Sequence, residues 1–249
     1  MKTEEILQLN KTGWEQSAER FFGRTALPEL GPFAPTENDL HLFGEVANKK
    51  VLDIGCGSGH SLQYMGNNGA KELWGLDLTK KQIETAQELL QEQRALVKLY
   101  ESPMEENPGL PQDYFDIAYS IYALGWTVEL EKTLTHIHRY LKPGGIFIFS
   151  WEHPMHDRIK RVDDSFILDK SYLQEGPEYN EAWNNTVIIP HRKLSTYINS
   201  LVTVGFEIEK VIDDVVLPNV ATEGNDHRWY SVDKAKLIPA TFIIKARKK

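Results

Sequence analysis

Between residues 51 and 60 the chain reads Val-Leu-Asp-Ile-Gly-Cys-Gly-Ser-Gly-His: an apolar run, one acid, then glycines at alternate positions, Gly55, Gly57 and Gly59. A backbone without Cβ atoms turns sharply and lets a ligand come close. A helix expected to start near Ser58 or Gly59 would place free N–H groups and a partial positive charge behind the loop. Two nucleotide-type cradles fit this outline. The dinucleotide fingerprint G-x-G-x-x-G wants its last glycine three residues after the second, which from Gly57 falls on His60. The glycine comes at 59 instead, and Asp53 stands two residues before the first. A carboxylate at that mouth repels a pyrophosphate but accepts hydrogen bonds from an amino group. A second acid, Asp77, ends the apolar run Leu73-Trp-Gly-Leu76, roughly 20 residues beyond the loop, where nucleotide sites place the group that takes both ribose hydroxyls. Its competing use is as a carboxylate at a helix start, since Thr79 follows as an N-cap residue.

The pattern Asp53-x-Gly55-x-Gly57-x-Gly59 resembles motif I of the class I S-adenosylmethionine-dependent methyltransferases, whose loop holds the methionine half of the cofactor. That resemblance implies cofactor contacts from Asp53, Gly55, Cys56, Gly57 and Gly59, and from Asp77 with Leu78. After the third strand, Glu101-Ser102 stands where relatives often carry an aspartate and a small residue that touch adenine. The stretch Asp116-Ile-Ala-Tyr-Ser120-Ile-Tyr-Ala-Leu-Gly125-Trp126 is similar to motif IV, adding Ser120 on the cofactor side and Tyr122 and Trp126 on the substrate side. Many relatives place histidines where this chain has Gly125 and Trp126, so no catalytic histidine is carried over there. Pro190-His-Arg-Lys-Leu-Ser-Thr-Tyr-Ile198 with Gly205-Phe206 looks like the penultimate helix of small-molecule enzymes related to the ubiquinone and menaquinone biosynthesis methyltransferases.

These residues need a scaffold, and residues 50–150 supply one by alternating strand and helix. Strands are expected at Lys50–Ile54, Glu72–Asp77, Leu96–Tyr100, Phe115–Tyr119 and Ile146–Trp151; helices at 58–66, Lys80–Arg94 and Leu130–Leu141, the last stopped by Lys142-Pro-Gly-Gly145. Such alternation makes an α/β fold with a parallel, doubly wound sheet and right-handed crossovers. A helix His191–Val204, a strand Phe206–Val211 and a strand Ala240–Ala246 complete seven strands. The resemblance implies a Rossmann-like sheet in the order 3-2-1-4-5-7-6, the seventh strand antiparallel. We read residues 1–249 as one domain: an N-terminal helical lid (1–49, with a helix Thr12–Phe22 and a short one after Thr36), the cofactor-binding core, and cap inserts at 152–189 and 213–237. Ligands bind outside the carboxyl ends of the strands in such sheets, so lid and inserts should close there. Trp14, of the lid, is expected on the cofactor; Trp151 and Trp183 in the substrate pocket, with Phe21 and Trp229 as further wall.

A sulfonium donor carries its own electrophilic carbon, so positioning and exclusion of water dominate, and a base is needed only for a protonated nucleophile. Glu152 and His153, directly after the fifth strand, are the candidate catalytic pair. A metal on Glu152, His153 and His156 lacks any C-x-x-C or H-E-x-x-H support, and none is expected. A formal net charge of −8 argues against nucleic acid, which demands a basic stripe; the cluster Lys245–Lys249 is expected to be a solvated tail. The single cysteine precludes an intramolecular disulfide and fits a reducing cytoplasm, and no run is long enough for a bilayer. Methyl transfer to a small molecule is the leading reading, with an O, N or C acceptor atom open. A protein or nucleic-acid methyltransferase and a non-catalytic binder of the cofactor or its demethylated product stand behind it. The oligomeric state is not encoded in any of these features.

Overall fold

A computed structural model describes residues 1–218 and 230–249. Seven strands form one sheet: β1 (Lys50–Ile54), β2 (Glu72–Asp77), β3 (Val97–Glu101), β4 (Phe115–Ile121), β5 (Leu141–Glu152), β10 (Phe206–Ile212) and β11 (Thr241–Lys248). Their order is β10-β11-β5-β4-β1-β2-β3. β1 to β5 run parallel, and β11 lies antiparallel to both β5 and β10, which is the Rossmann-like arrangement expected. β4 and β5 are buried on both faces along most of their length, as central parallel strands must be. The edge strands β3 and β10 are half exposed.

Alternate residues of these strands feed two cores. Leu52, Ile54, Phe147 and Phe149 pack under α5 (Leu130–Tyr140) and α6 (Leu194–Val204); Val51, Ile117, Tyr119 and Ile148 pack on the other face with Leu62 and Met65 of α3 (His60–Asn67). α5 shows how the sequence sets this up: Leu130, Thr133, Leu134, Ile137 and Tyr140 recur at helical spacing and are the buried ones. Each fully buried Leu, Ile or Phe contributes ~1.5–3 kcal/mol relative to exposure. Parallel register aligns Asp53 with Gly75 on one side and Tyr119 on the other, and Asp77 with Glu101. Both acids therefore reach the carboxyl edge of the sheet together.

Several boundaries differ from the periodicity, each for a tertiary reason. The first helix, α1, spans Thr3–Ser17, with a 3-10 turn at Ala18–Phe21, rather than starting at Thr12. Its polar first half is held by contacts that a local pattern does not show: Asn10 exchanges two 2.8 Å hydrogen bonds with the backbone of Ile188. Helix α4 (Lys80–Leu89) ends early in a 3-10 turn, Gln91–Gln93. Pro190 and His191 belong to a strand, so α6 begins at Leu194. The insert expected as irregular is two hairpins, β6 (Ile159–Val162) with β7 (Ser165–Leu168), and β8 (Gly176–Ala182) with β9 (Asn185–His191). Trp183 and Asn184 turn the second hairpin with φ of 56° and 64°, the left-handed pair that a tight two-residue hairpin loop demands. Thr36 and Asp39 form the capping box of α2 (Glu37–Leu40) as read from the sequence. The basic C-terminus is no tail: Lys245 and Lys248 lie in β11, and Lys248 is buried, donating to Leu141 O at 2.8 Å and Asp113 Oδ1 at 2.7 Å. In the second insert, α7 (Val232–Ala235) is short, and Trp229 lies outside the described residues.

Candidate active site

The loop after β1 and the ends of β2 and β4 enclose a cavity bordered by Asp53, Gly55, Cys56, Gly57, Asp77 and Leu78. Gly57 has φ of 50°, and the position its Cβ would take has nothing within 4 Å. The loop thus holds open, left-handed backbone toward the space a ligand would fill, which a side chain would obstruct. Gly59 is turned the other way, against Ala86 of α4, and serves helix packing rather than the cavity.

Asp77 stands at the start of α4, one of the two uses that its position allowed. Its Oδ1 accepts the Thr79 N–H and hydroxyl at 2.9 Å each, and its Oδ2 accepts the Gly57 N–H at 3.0 Å. Oδ2 keeps acceptor capacity on the cavity side. With the Thr79 hydroxyl committed to Asp77, the first N–H groups of α4 are taken by Glu15 of α1, at 2.8 Å from Lys80 N and 3.3 Å from Lys81 N.

Electrostatically the cavity favours a cation. Burial raises the Asp53 carboxyl well above the usual range; Tyr119 beside it pulls the other way, and Asp77 adds repulsion. Burial likewise raises Asp77, against the Thr79 and Gly57 donors. Burial, then Asp77 and Asp53, push the Cys56 thiol up, so it stays protonated and is no nucleophile. Two acids held above their ordinary range gain if a ligand brings an ammonium or sulfonium between them.

Not every expected residue reaches this cavity. Ser102 borders it, but Glu101 is exposed and pairs with Lys11 of α1 at 2.6 Å. Ser120 is fully buried and donates to Ile54 O at 2.7 Å, stitching β4 to β1 instead of facing a ligand. Trp14 does border it, together with Tyr122 and Trp126, and these three also line a second cavity beside it with Trp151, Glu152 and Trp183.

At the junction, Trp14 lies 4.8 Å from Trp183, 5.1 Å from Trp126 and 4.9 Å from Phe21 between ring centroids. Tyr122 directly follows β4 with φ of 54° and bonds the Thr241 hydroxyl at 2.6 Å. A Cβ on Gly125 would overlap the Trp151 indole. The glycine in place of the relatives' histidine is thus the partner of a bulky indole from β5.

His153 lines neither cavity. Its N–H is tied to Ala240 O at 2.9 Å, and its Nδ1 accepts the Met155 N–H at 3.3 Å; the ring faces Phe242. This tether beside β11 turns the imidazole away from the junction. Glu152 does face the second cavity and accepts the Tyr230 hydroxyl at 2.8 Å. Among the described residues no group of three or more His, Cys, Asp or Glu stands close enough to hold a metal, and no helix is long and apolar enough to cross a membrane.

Sequence reasoning missed Tyr119, although its register opposite Asp53 was implicit in the strand order. It also missed Glu105, which is buried on the first cavity and accepts from Thr127 Oγ1 at 2.7 Å and Val128 N at 2.6 Å. Asn10, Arg192 and Tyr230 come from distant segments and carried no local signal.

The sequence matches the methyltransferase domain family over residues 52–149. It is 31% identical over 221 residues to an uncharacterized protein of Haemophilus influenzae, covering 84% of this chain and 85% of that one. It is 34% identical over 114 residues to the malonyl-[acyl-carrier protein] O-methyltransferase of Pectobacterium atrosepticum, a match spanning 46% of this chain and 43% of the other. The solved S-adenosylmethionine-dependent methyltransferase of Mesorhizobium loti superposes with a TM-score of 0.67 at 28% identity, over 84% of this chain and 95% of that one. With its sheet order and glycine loop, the chain belongs to the Rossmann-like S-adenosylmethionine-dependent methyltransferases.

Proposed function

We propose that this methyltransferase acts on a small molecule held in the second cavity, and that Asp53, Gly55, Cys56, Gly57, Asp77, Leu78 and Ser102 hold the cofactor. The observation that carries this is the shared wall: Trp14, Tyr122 and Trp126 border both cavities, so a donor in one and an acceptor in the other meet there. Residues 1–249 act as one unit in this reading.

Bound S-adenosylmethionine supplies a methyl carbon made electrophilic by the sulfonium, with a neutral leaving group. Asp77 Oδ2 is placed to accept from the ribose hydroxyls, while Asp53 faces the cationic methionine end. Tyr122, fixed by Thr241, and the indoles of Trp14 and Trp126 exclude water and hold the acceptor in line. Where the acceptor arrives protonated, Glu152, accepting from Tyr230, is the group placed to take the proton. A cavity walled by indoles and an overall charge of −8 favour a small acceptor over nucleic acid. The lone buried thiol suits a reducing compartment, and we assign the protein to the cytoplasm.

Calorimetry with S-adenosylmethionine, S-adenosylhomocysteine and NAD tests the residue assignment. One-to-one binding of the adenosyl compounds, weakened about tenfold or more by Asp77→Ala, is expected. Unchanged affinity in that variant would remove Asp77 from the site.

A further inference from the structure

We propose that the second cavity receives a planar aromatic acceptor bearing a carboxylate, that Arg192 holds the carboxylate, and that the ring lies against Trp126. This rests on the methyl-transfer reading above.

The inference comes from which charges in that cavity are already answered. Arg158 is almost wholly buried; its guanidinium makes bonds of 2.6 and 2.7 Å to Glu178 and one to Asp157, and Lys170 joins the same two acids at 3.1 and 3.4 Å. That cluster is internally neutral. Glu152 accepts the Tyr230 hydroxyl and has the Lys234 ammonium in its field, and Glu181, the remaining acid on this wall, is exposed to solvent and accepts the Thr186 hydroxyl. Arg192 is different. It lines the cavity half-buried, and its guanidinium donates to the carbonyls of Gly125 and Val128, 3.4 Å each, and of Thr127. Among the described residues no carboxylate stands within ion-pair distance of it.

Carbonyl dipoles orient a guanidinium but do not neutralise it, and an unmatched cation on a cavity wall is a receptor for an anion. The planar fork matches a carboxylate. A dianion such as phosphate would call for a second unmatched cation, whereas Arg158, the other arginine on this wall among the described residues, is paired. Tyr197 lines the cavity next to the guanidinium and adds a hydroxyl to the same corner.

The aromatic half follows from what Arg192 grips. Gly125 and Thr127 flank Trp126 in sequence, so the three bonds fix the loop that presents that indole. Its ring centroid lies 6.2 Å from both Trp151 and Trp183, at interplanar angles of 75° and 37°. A wall of indoles around a cavity of about 470 Å³ suits a flat ring in offset or edge-on contact.

The test is a titration of the S-adenosylhomocysteine-loaded protein with 2-naphthoate, 2-naphthamide and 2-naphthylmethylamine, followed by tryptophan fluorescence and calorimetry. We expect 2-naphthoate to bind about tenfold or more tightly than the other two. R192Q should erase that preference while R192K, which keeps the charge but not the fork, keeps part of it, both within about threefold of the wild-type affinity for S-adenosylhomocysteine. Equal binding of the three probes, no binding of any, or a preference that survives R192Q would overturn the proposal. Failure of S-adenosylhomocysteine itself to bind, read in the same calorimetry, would overturn the underlying reading instead.

Discussion

The indoles of Trp14 and Trp183 stand 4.8 Å apart between ring centroids, one from the N-terminal helix and one from the tip of the β8–β9 hairpin. Four residues earlier on the helix, Asn10 and the backbone of Ile188 exchange hydrogen bonds. Helix and hairpin therefore border the candidate site as a joined pair, the helix on the first cavity and the hairpin on the second.

Their separation in space predicts a separation in effect. W183A should slow label transfer from methyl-labelled S-adenosylmethionine into small molecules by about tenfold or more while leaving S-adenosylhomocysteine binding within about threefold. W14A, which borders both cavities, should lower both. Equal damage to cofactor binding from the two variants, by calorimetry, would contradict this division.

The second prediction concerns Gly125, whose Cβ position is filled by the Trp151 indole. G125A should destabilise the fold by ~1–3 kcal/mol, the usual cost of overpacking, and shift the tryptophan emission. Denaturant unfolding measures the first effect and fluorescence the second. An unchanged midpoint would mean the indole yields freely.

Asp53 sets cofactor affinity against stability. Its carboxyl is raised by burial, so its contribution is fully present below the unfolded carboxyl value, about 3.9, and is lost as pH rises through the folded one. At neutral pH the burial of this carboxyl therefore costs the cofactor-free protein stability. D53N should melt higher than wild type at pH 7, converge with it near pH 4, and bind S-adenosylmethionine more weakly by about tenfold. A lower melting temperature at pH 7 would contradict the account.

Acid should loosen the insert that builds the second cavity. His156, fully buried, has its pKa lowered to about 3 by burial, with Lys234 and His153 adding repulsion. A depressed value means stability present above the unfolded value of about 6.5 and lost as pH falls toward the folded one. Glu178, held at about 2 chiefly by its bond to Arg158, works in the same direction from about 4.3 downward. The Asp53 contribution runs the other way over this range, so the test is a difference: wild type should lose melting temperature relative to H156Q as pH falls below about 6.5. Melting curves of wild type and H156Q that run parallel from pH 8 to pH 4 would contradict the assignment.

The placement of the acids around the glycine loop was legible in sequence because they sit near strand ends fixed by local pattern. Asp53 and Asp77 follow apolar runs whose bounds matched β1 and β2, and the parallel register brought them together. Ser120 and Glu101 misled because family position does not reveal where a side chain turns: one went to the Ile54 carbonyl and the other to Lys11. His153 misled for a similar reason, since the Ala240 carbonyl that anchors its backbone lies 87 residues on. The second cavity was only outlined. Trp126, Trp151 and Trp183 were expected in it, but Arg192 and Tyr230 arrive through long-range packing of a hairpin and a C-terminal insert. Along residues 176–182 half-buried and exposed positions alternate, a strand pattern that the left-handed turn at Trp183-Asn184 closes into a hairpin.

The most direct test incubates the protein with methyl-labelled S-adenosylmethionine and a cell extract, then separates small molecules from protein and nucleic acid. We predict label in a small-molecule product, sharply reduced with D77A. Label in the protein or nucleic-acid fraction, or transfer to a small molecule that D77A leaves unchanged, would contradict the account.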